Sequence, residues 1–229
     1  MRDASLQGLA VGFFDGVHLG HQAILKGADA ALTFRNHPFT VLAPEKAPRL
    51  IMSVEERVAA IKACGVKDVT VLDFTRELAE MSAEEFAVSF LKRSGDRFPF
   101  LRCGANWRFG RGGEGDAEFL RGMGIEVTVV PYAVYKGEKV SSSRIRRCLE
   151  SGEIEDANAM MGRRYEVRGK REEGKGLEFM GVVMDEEKNH SIRATEAIIS
   201  KPESKVTICV VPTDEELMIA TDTLRIVQG

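Results

Sequence analysis

The chain is poor in the residues that make disulfide scaffolds and zinc sites. Its 229 residues include four cysteines, Cys64, Cys103, Cys148 and Cys209, and no two of them form a Cys-x-x-Cys pair. Zinc-ribbon and thioredoxin-type chemistry are therefore unsupported, and the thiols read as small buried hydrophobes of a cytoplasmic protein. No apolar run approaches the ~18 residues that a membrane span needs, and the N-terminus lacks the charged-then-apolar layout of a secretory leader. The net charge is only -3, so no general nucleic-acid or membrane surface is expected. Small molecules are the expected partners. Histidine is scarce, with four in the chain, and two of these fall within one ten-residue stretch.

The remaining composition, 44% hydrophobic and 29% charged, is ordinary for a globular chain. The length suits one medium domain with a small appendix, or one large domain. Up to about Gly152, strand and helix signals alternate. Strands are expected at Leu9–Gly12, Ala31–Phe34, Val69–Leu72, Phe100–Gly104 and Glu126–Val130. Helices are expected at Gly20–Lys26, from the Ser53/Glu56 capping box with Val58, Ile61 and Cys64 inward, and from the Ser82/Glu85 box through Leu91. This alternation predicts an α/β fold, a Rossmann-like parallel sheet with its ligand at the carboxyl ends of the strands. Beyond it the pattern changes. Short strands at Tyr165–Arg168, Met180–Met184, Lys205–Val211, Leu217–Ala220 and Leu224–Val227 predict a small antiparallel, barrel-like β domain. The expected organisation is residues 1–152, a linker helix over 153–162, and the β domain over 163–229.

The ten residues Gly12-Phe13-Phe14-Asp15-Gly16-Val17-His18-Leu19-Gly20-His21 join a strand to a helix. Two histidines three apart at a helix start, beside the free amides of the first turn, make a pocket for phosphate. His18 and His21 can donate to a polyphosphate. Gly16 and Gly20 let the backbone approach a nucleotide, and Asp15 either braces the turn or sits near a ribose or metal. A second cradle is expected where Ser141, Ser142 and Ser143 precede Arg144, Arg146 and Arg147. Asn106, Trp107, Arg108 and Phe109 combine rings, an amide and a guanidinium, which suits a flat phosphorylated heteroaromatic; Trp107 and Phe109 equally suit a core. Two further matches are discounted. Gly110, Gly112 and Gly115 spell GxGxxG without a strand-to-helix context and read as a flexible loop over the site. Gly169 to Lys175 spells GxxxxGK with Gly176 where Ser or Thr is required, and reads as a hairpin loop.

GFFDGVHLGH resembles the HxGH motif of nucleotidylyltransferases, in the form used by the bacterial FAD synthetases (bifunctional riboflavin kinase/FMN adenylyltransferases). Thr33-Phe34-Arg35-Asn36-His37-Pro38 is similar to that family's TFxPHP loop, with Asn36 in place of proline. Cys103–Gly110 is similar to its GxxFxFG segment, Val140–Arg146 to ISSTxxR, and Met161–Tyr165 to LGRxY. The resemblance implies adenylyl transfer from ATP to FMN, giving FAD and pyrophosphate, with Mg2+. It implies His18, His21 and Arg146 as catalytic residues, with no protein-built metal site. Gly12, Phe13, Phe14, Asp15, Gly16 and Gly20 would surround ATP together with Ser141, Ser142 and Ser143. His37, Pro38, Asn106, Trp107, Arg108 and Phe109 would lie on the flavin side. The family's kinase motif GxPTAN is missing: Phe179-Met180-Gly181-Val182-Val183-Met184-Asp185 stands in its place. The expectation is an FMN adenylyltransferase without riboflavin kinase activity. Its alternatives are a transferase acting on another phosphorylated acceptor, or a catalytically weakened flavin- or nucleotide-binding protein.

Overall fold

Leu9 and Val11 face one side of a sheet and Ala10 faces the other, so the first strand is buried on both faces. This strand, β1 (Gly8–Val11), is the centre of a computed structural model that describes residues 8–92, 100–166, 183–192, 195–204 and 207–210. β2 (Ala30–Phe34), β3 (Asp68–Leu72), β4 (Phe100–Gly104) and β5 (Glu126–Val130) complete the sheet. Every pairing is parallel, in the order β3-β2-β1-β4-β5. All five strands fall where the sequence predicts them, because runs of Val, Leu and Ala bounded by turn residues suit a doubly covered parallel sheet.

Helices cover both faces. On one lie α1 (Leu19–Leu25), through Ile24 and Leu25, and α3 (Val54–Ala63), through Ile61. On the other lie α5 (Ala83–Phe86) with its π-helical continuation Ala87–Lys92, through Phe86 and Leu91, and α6 (Ala117–Gly122), through Leu120. Both expected capping boxes form, Ser53 with Glu56 and Ser82 with Glu85. The inward face of α3 differs from expectation. Arg57 and Ile61 are buried, whereas Val58 and Cys64 are only partly so. The Arg57 guanidinium reaches the carbonyls of Phe34 and Arg35 at the end of β2, and this turns the helix.

Short elements the sequence does not announce fill the connections: α2 (Phe39–Leu42), α4 (Arg76–Glu80) and a hairpin of β6 (Val134–Tyr135) with β7 (Glu138–Lys139). The hairpin leads into α7 (Ser142–Glu150), and α8 (Ile154–Met161) follows with Ala157, Met160 and Met161 buried. The chain divides into two compact units, residues 1–148 with 155–166, and residues 149–154 with 167–229.

Among the described residues of the second unit are α9 (Glu186–Ser191), capped by Asp185, and an antiparallel pair, β8 (Ala197–Ile198) with β9 (Cys209–Val210). Of the strand expected over Lys205–Val211, Cys209 and Val210 form β9, residues 207–208 are not in a strand, and 205, 206 and 211 lie outside the described residues. Met184 makes only an isolated bridge to Ser200, and Tyr165 and Glu166 are not in a strand. Residues 167–168 and 180–182 of the strands expected at Tyr165–Arg168 and Met180–Met184, the strands expected at Leu217–Ala220 and Leu224–Val227, and the Gly169–Lys175 segment lie outside the described residues.

Candidate active site

The strand order reverses direction at β1, between β2 and β4, and the carboxyl ends of the strands open there into a cleft of about 500 Å³. Its walls come from the turn after β1, from His37 beyond β2, from Gly104, Asn106, Trp107 and Arg108 at the end of β4, and from Pro131 to Ala133 and Lys139 to Ser143 after β5. Arg146 of α7 closes it. The two segments singled out in the sequence, the histidine turn and the serine-arginine helix start, therefore meet at one cavity.

The histidine turn is bent tightly. Phe14, Gly16 and Val17 have φ of 58, 81 and 39°. A β-branched residue in the left-handed region is strained, by on the order of 1–3 kcal/mol, and must be held by its surroundings. At Gly16 the positive φ itself favours glycine, and a Cβ there would also come within 2.9 Å of Ile51 Cδ1. His18 caps α1, its Nδ1 accepting from the His21 N–H at 3.3 Å. The His18 and His21 rings stack, with centroids 3.6 Å apart, and the edge of Phe14 meets His21 at 5.4 Å. Burial pushes the His18 pKa down to about 4, and the charges of Lys139 and Arg163 add to this against the helping backbone hydrogen bond. Burial, then His18 and Arg57, hold His21 well below the usual imidazole range. Both rings are neutral at neutral pH. Because His18 Nδ1 accepts, its neutral ring carries the proton on Nε2.

Asp15 braces the site. Its carboxylate is 1% exposed, accepts from the Ile51 N–H through both oxygens, and pairs with Arg146 Nη2 at 2.7 Å. The Ser142 hydroxyl donates to the Asp15 carbonyl at 2.9 Å. Ser141 caps the following helix by accepting from the Arg144 N–H. Ser143, exposed at the cleft, keeps its hydroxyl without a partner among the described residues. Arg144 turns away and binds the carbonyls of Tyr135 and Glu138 in the β6–β7 hairpin. His21 Nδ1 and Arg146 Nε are buried without partners among the described residues.

The residues predicted for the flavin side divide. His37 lies in the cleft, edge-on to Phe13 at 5.0 Å, and accepts from the Phe39 N–H. Burial first, then the Arg146 charge, holds its pKa below the usual value, with Asp15 opposing. Pro38 does not line the cleft; it stands at the start of α2, where a fixed φ suits a helix entry. Phe109 does not line it either. It is 7% exposed, stacks on Trp107 at 4.6 Å and joins the core beside Phe86, so its ring serves packing. Gly12, Phe13, Phe14, Asp15 and Gly20 are at the cleft, and Gly16 is not. The glycine-rich segment after Phe109 is pinned, contrary to the expected flexible loop. Arg111 N–H bonds the Met81 carbonyl, Ala83 N–H bonds Glu114, and Gly110 sits where a Cβ would come 2.6 Å from the Ala83 backbone.

Three further residues at the cleft or its histidine turn are not among the site residues expected from the sequence. Arg57 is fully buried, with its guanidinium 4.3 Å from the Phe13 ring centroid. Lys139 lines the cleft with its Nζ 3.6 Å from the centroid of the Tyr132 ring. Arg163 donates to the carbonyls of Gly16 and Val17. Lys139 stands two residues before the serine run and Arg163 falls within the Met161–Tyr165 motif, whereas Arg57 has no local signal.

Several known proteins resemble this chain. The family model for FAD synthetase matches residues 2–144. A model for the acetokinase family matches residues 165–221, a stretch well short of half the chain. A bifunctional riboflavin kinase/FMN adenylyltransferase of Listeria monocytogenes is 34% identical, over 70% of this chain and 55% of its own length. An FAD synthetase of the same organism is 29% identical, over 76% of this chain and 75% of its own. A crystal structure described as a macrolide-efflux protein from Streptococcus pneumoniae superposes with a TM-score of 0.63 at 28% identity, covering 70% of this chain and 56% of that one. The chain spans about half the length of the bifunctional relatives it matches. A model matching well over half its residues shows that the chain belongs to the FAD synthetase family.

Proposed function

We propose that the chain transfers the adenylyl group of ATP to the phosphate of FMN, giving FAD and pyrophosphate. The observation that carries this is the meeting of the His18–His21 pair with Ser143 and Arg146 across one cleft. A phosphate oxygen of FMN attacks the α-phosphorus of ATP, and the bond to the bridging oxygen breaks. Negative charge grows on the α-phosphate oxygens and on the departing pyrophosphate. Such a step is accelerated mainly by alignment and by fixed positive charge and donors. His18 offers its Nε2–H, and Arg146, fixed in orientation by Asp15, offers the rest of its fork. Lys139 and Arg108 add positive charge to the walls. Trp107 supplies a ring face at the β4 end, suited to a flavin or adenine ring.

Mg2+ accompanies the nucleotide as part of the substrate. No group of three potential ligand side chains occurs among the described residues, and the Asp15 oxygens are already engaged. The second unit is read as the remnant of a kinase module, and the chain as lacking riboflavin kinase activity. The sequence Phe179–Asp185 supports this, because it offers neither the hydroxyl nor the amide of the family's kinase motif.

The test is chromatographic. With ATP, FMN and Mg2+, FAD and pyrophosphate should appear in equal amounts, and with riboflavin and ATP no FMN should form. His21→Ala should lower kcat by on the order of 100-fold, as for loss of one transition-state donor. Nucleotide binding without turnover would contradict the reading, as would an undiminished rate in the variant.

A further inference from the structure

The turn that carries the histidines is held from behind by a residue far along the chain. Arg163 Nη2 donates to the Gly16 carbonyl at 2.7 Å, and Nη1 donates to the Val17 carbonyl at 3.1 Å. Gln22 of α1 donates to the same Val17 carbonyl at 2.9 Å and to the Met161 carbonyl at 2.8 Å, so the turn, the helix and the end of α8 form one clamp. The contact is close: a Cβ at Gly162, which has a φ of 67°, would lie 2.9 Å from Leu19 Cδ2. These carbonyls belong to the residues with φ of 81 and 39°. A trans peptide points its C=O and N–H in opposite directions. Fixing the Val17 carbonyl on Arg163 therefore sets the His18 N–H to the far side, along with the entry of His18 into its capping position. The fork geometry matters, because one guanidinium spans two successive carbonyls and an ammonium cannot do so in the same way.

We propose that Arg163 is a positioning residue for adenylyl transfer, holding the left-handed turn so that the stacked His18–His21 pair faces the nucleotide. It acts through the Gly16 and Val17 carbonyls and does not line the cleft. It also lies outside the residues that the family model covers. The inference rests on the functional reading above and adds to it a determinant from beyond the sheet domain's strands.

Arg163→Ala and Arg163→Lys are compared with the parent chain, and Arg164→Ala, at an exposed neighbour, is the control. FAD formation gives kcat and the KM for ATP, calorimetry gives ATP affinity, and circular dichroism reports folding. Arg163→Ala should lose at least tenfold in kcat and severalfold in ATP affinity, with the KM for FMN unchanged. Added guanidinium ion at millimolar concentration should restore part of kcat, and Arg163→Lys should recover less than half of the loss. Arg164→Ala should behave as the parent. An Arg163→Ala chain with both kcat and ATP affinity within twofold of the parent overturns the proposal. So does equal loss for ATP and FMN without guanidinium rescue, which would mark a merely structural arginine. If Arg163→Ala fails to fold, Arg163→Lys carries the same kinetic comparison. If the parent chain binds ATP but makes no FAD, the functional reading fails, and the ATP affinities of the variants still decide the role of Arg163.

Discussion

His18 and His21 lie face to face with ring centroids 3.6 Å apart, an arrangement that two imidazolium ions would not hold. The folded His18 takes its proton only near pH 4, whereas an unfolded histidine does so near 6.5. Between those values the unfolded chain binds more protons. The stability is therefore complete above pH 6.5 and is lost as pH falls toward 4, by about 3 kcal/mol for this residue. The shift at His21 has the same sign. Urea denaturation between pH 7 and 4.5 should show this loss. His18→Asn, which keeps a capping acceptor but cannot titrate, should flatten it measurably. An identical pH slope in the two proteins would contradict the assignment of His18 as a buried neutral ring.

The end of β2 is tied to the turn after β1 by one side chain of α3. Arg57 binds the Phe34 and Arg35 carbonyls and lies over Phe13, which in turn meets His37. Arg57→Met keeps the bulk and removes both charge-assisted hydrogen bonds. It should cost about 3 kcal/mol in urea unfolding, and a loss below 1 kcal/mol would argue against the clamp. At this scale the sequence is only partly legible. The five strands announce themselves through apolar, β-branched runs, and the capping boxes through a serine and a glutamate three residues on. The inward turn of Arg57 is not announced, since an arginine one turn before Ile61 looks the same whether its partner is water or a distant carbonyl. The β6–β7 hairpin is too short to show a period. Phe109 and Trp107 share an aromatic signature although one packs in the core and the other lines the cleft, and nothing local in the sequence separates the two roles. The convergence of His18, His21 and Arg146 on one cleft is legible because each sits in a local motif, whereas Arg163, although part of the Met161–Tyr165 motif, makes a contact with carbonyls 146 and 147 positions away that no local pattern announces.

A cleft at the reversal point of a parallel sheet gathers segments from most of the first unit, and its occupant binds only the folded form. ATP at 100 times its dissociation constant should stabilise the chain by about 2.7 kcal/mol. For a protein of this size that corresponds to a rise in Tm of roughly 5–10 °C. Differential scanning fluorimetry with a non-hydrolysable ATP analogue measures it. No rise at saturating analogue would remove the cleft from consideration as a nucleotide site. The Asp15–Arg146 pair spans 131 positions of the chain. At a translation rate of ~5–20 residues per second, roughly 7–26 seconds pass between the appearance of the first partner and the last. Throughout that interval the nascent polypeptide carries its imidazoles without Arg146 opposite them, so the cleft is complete only once α7 has emerged.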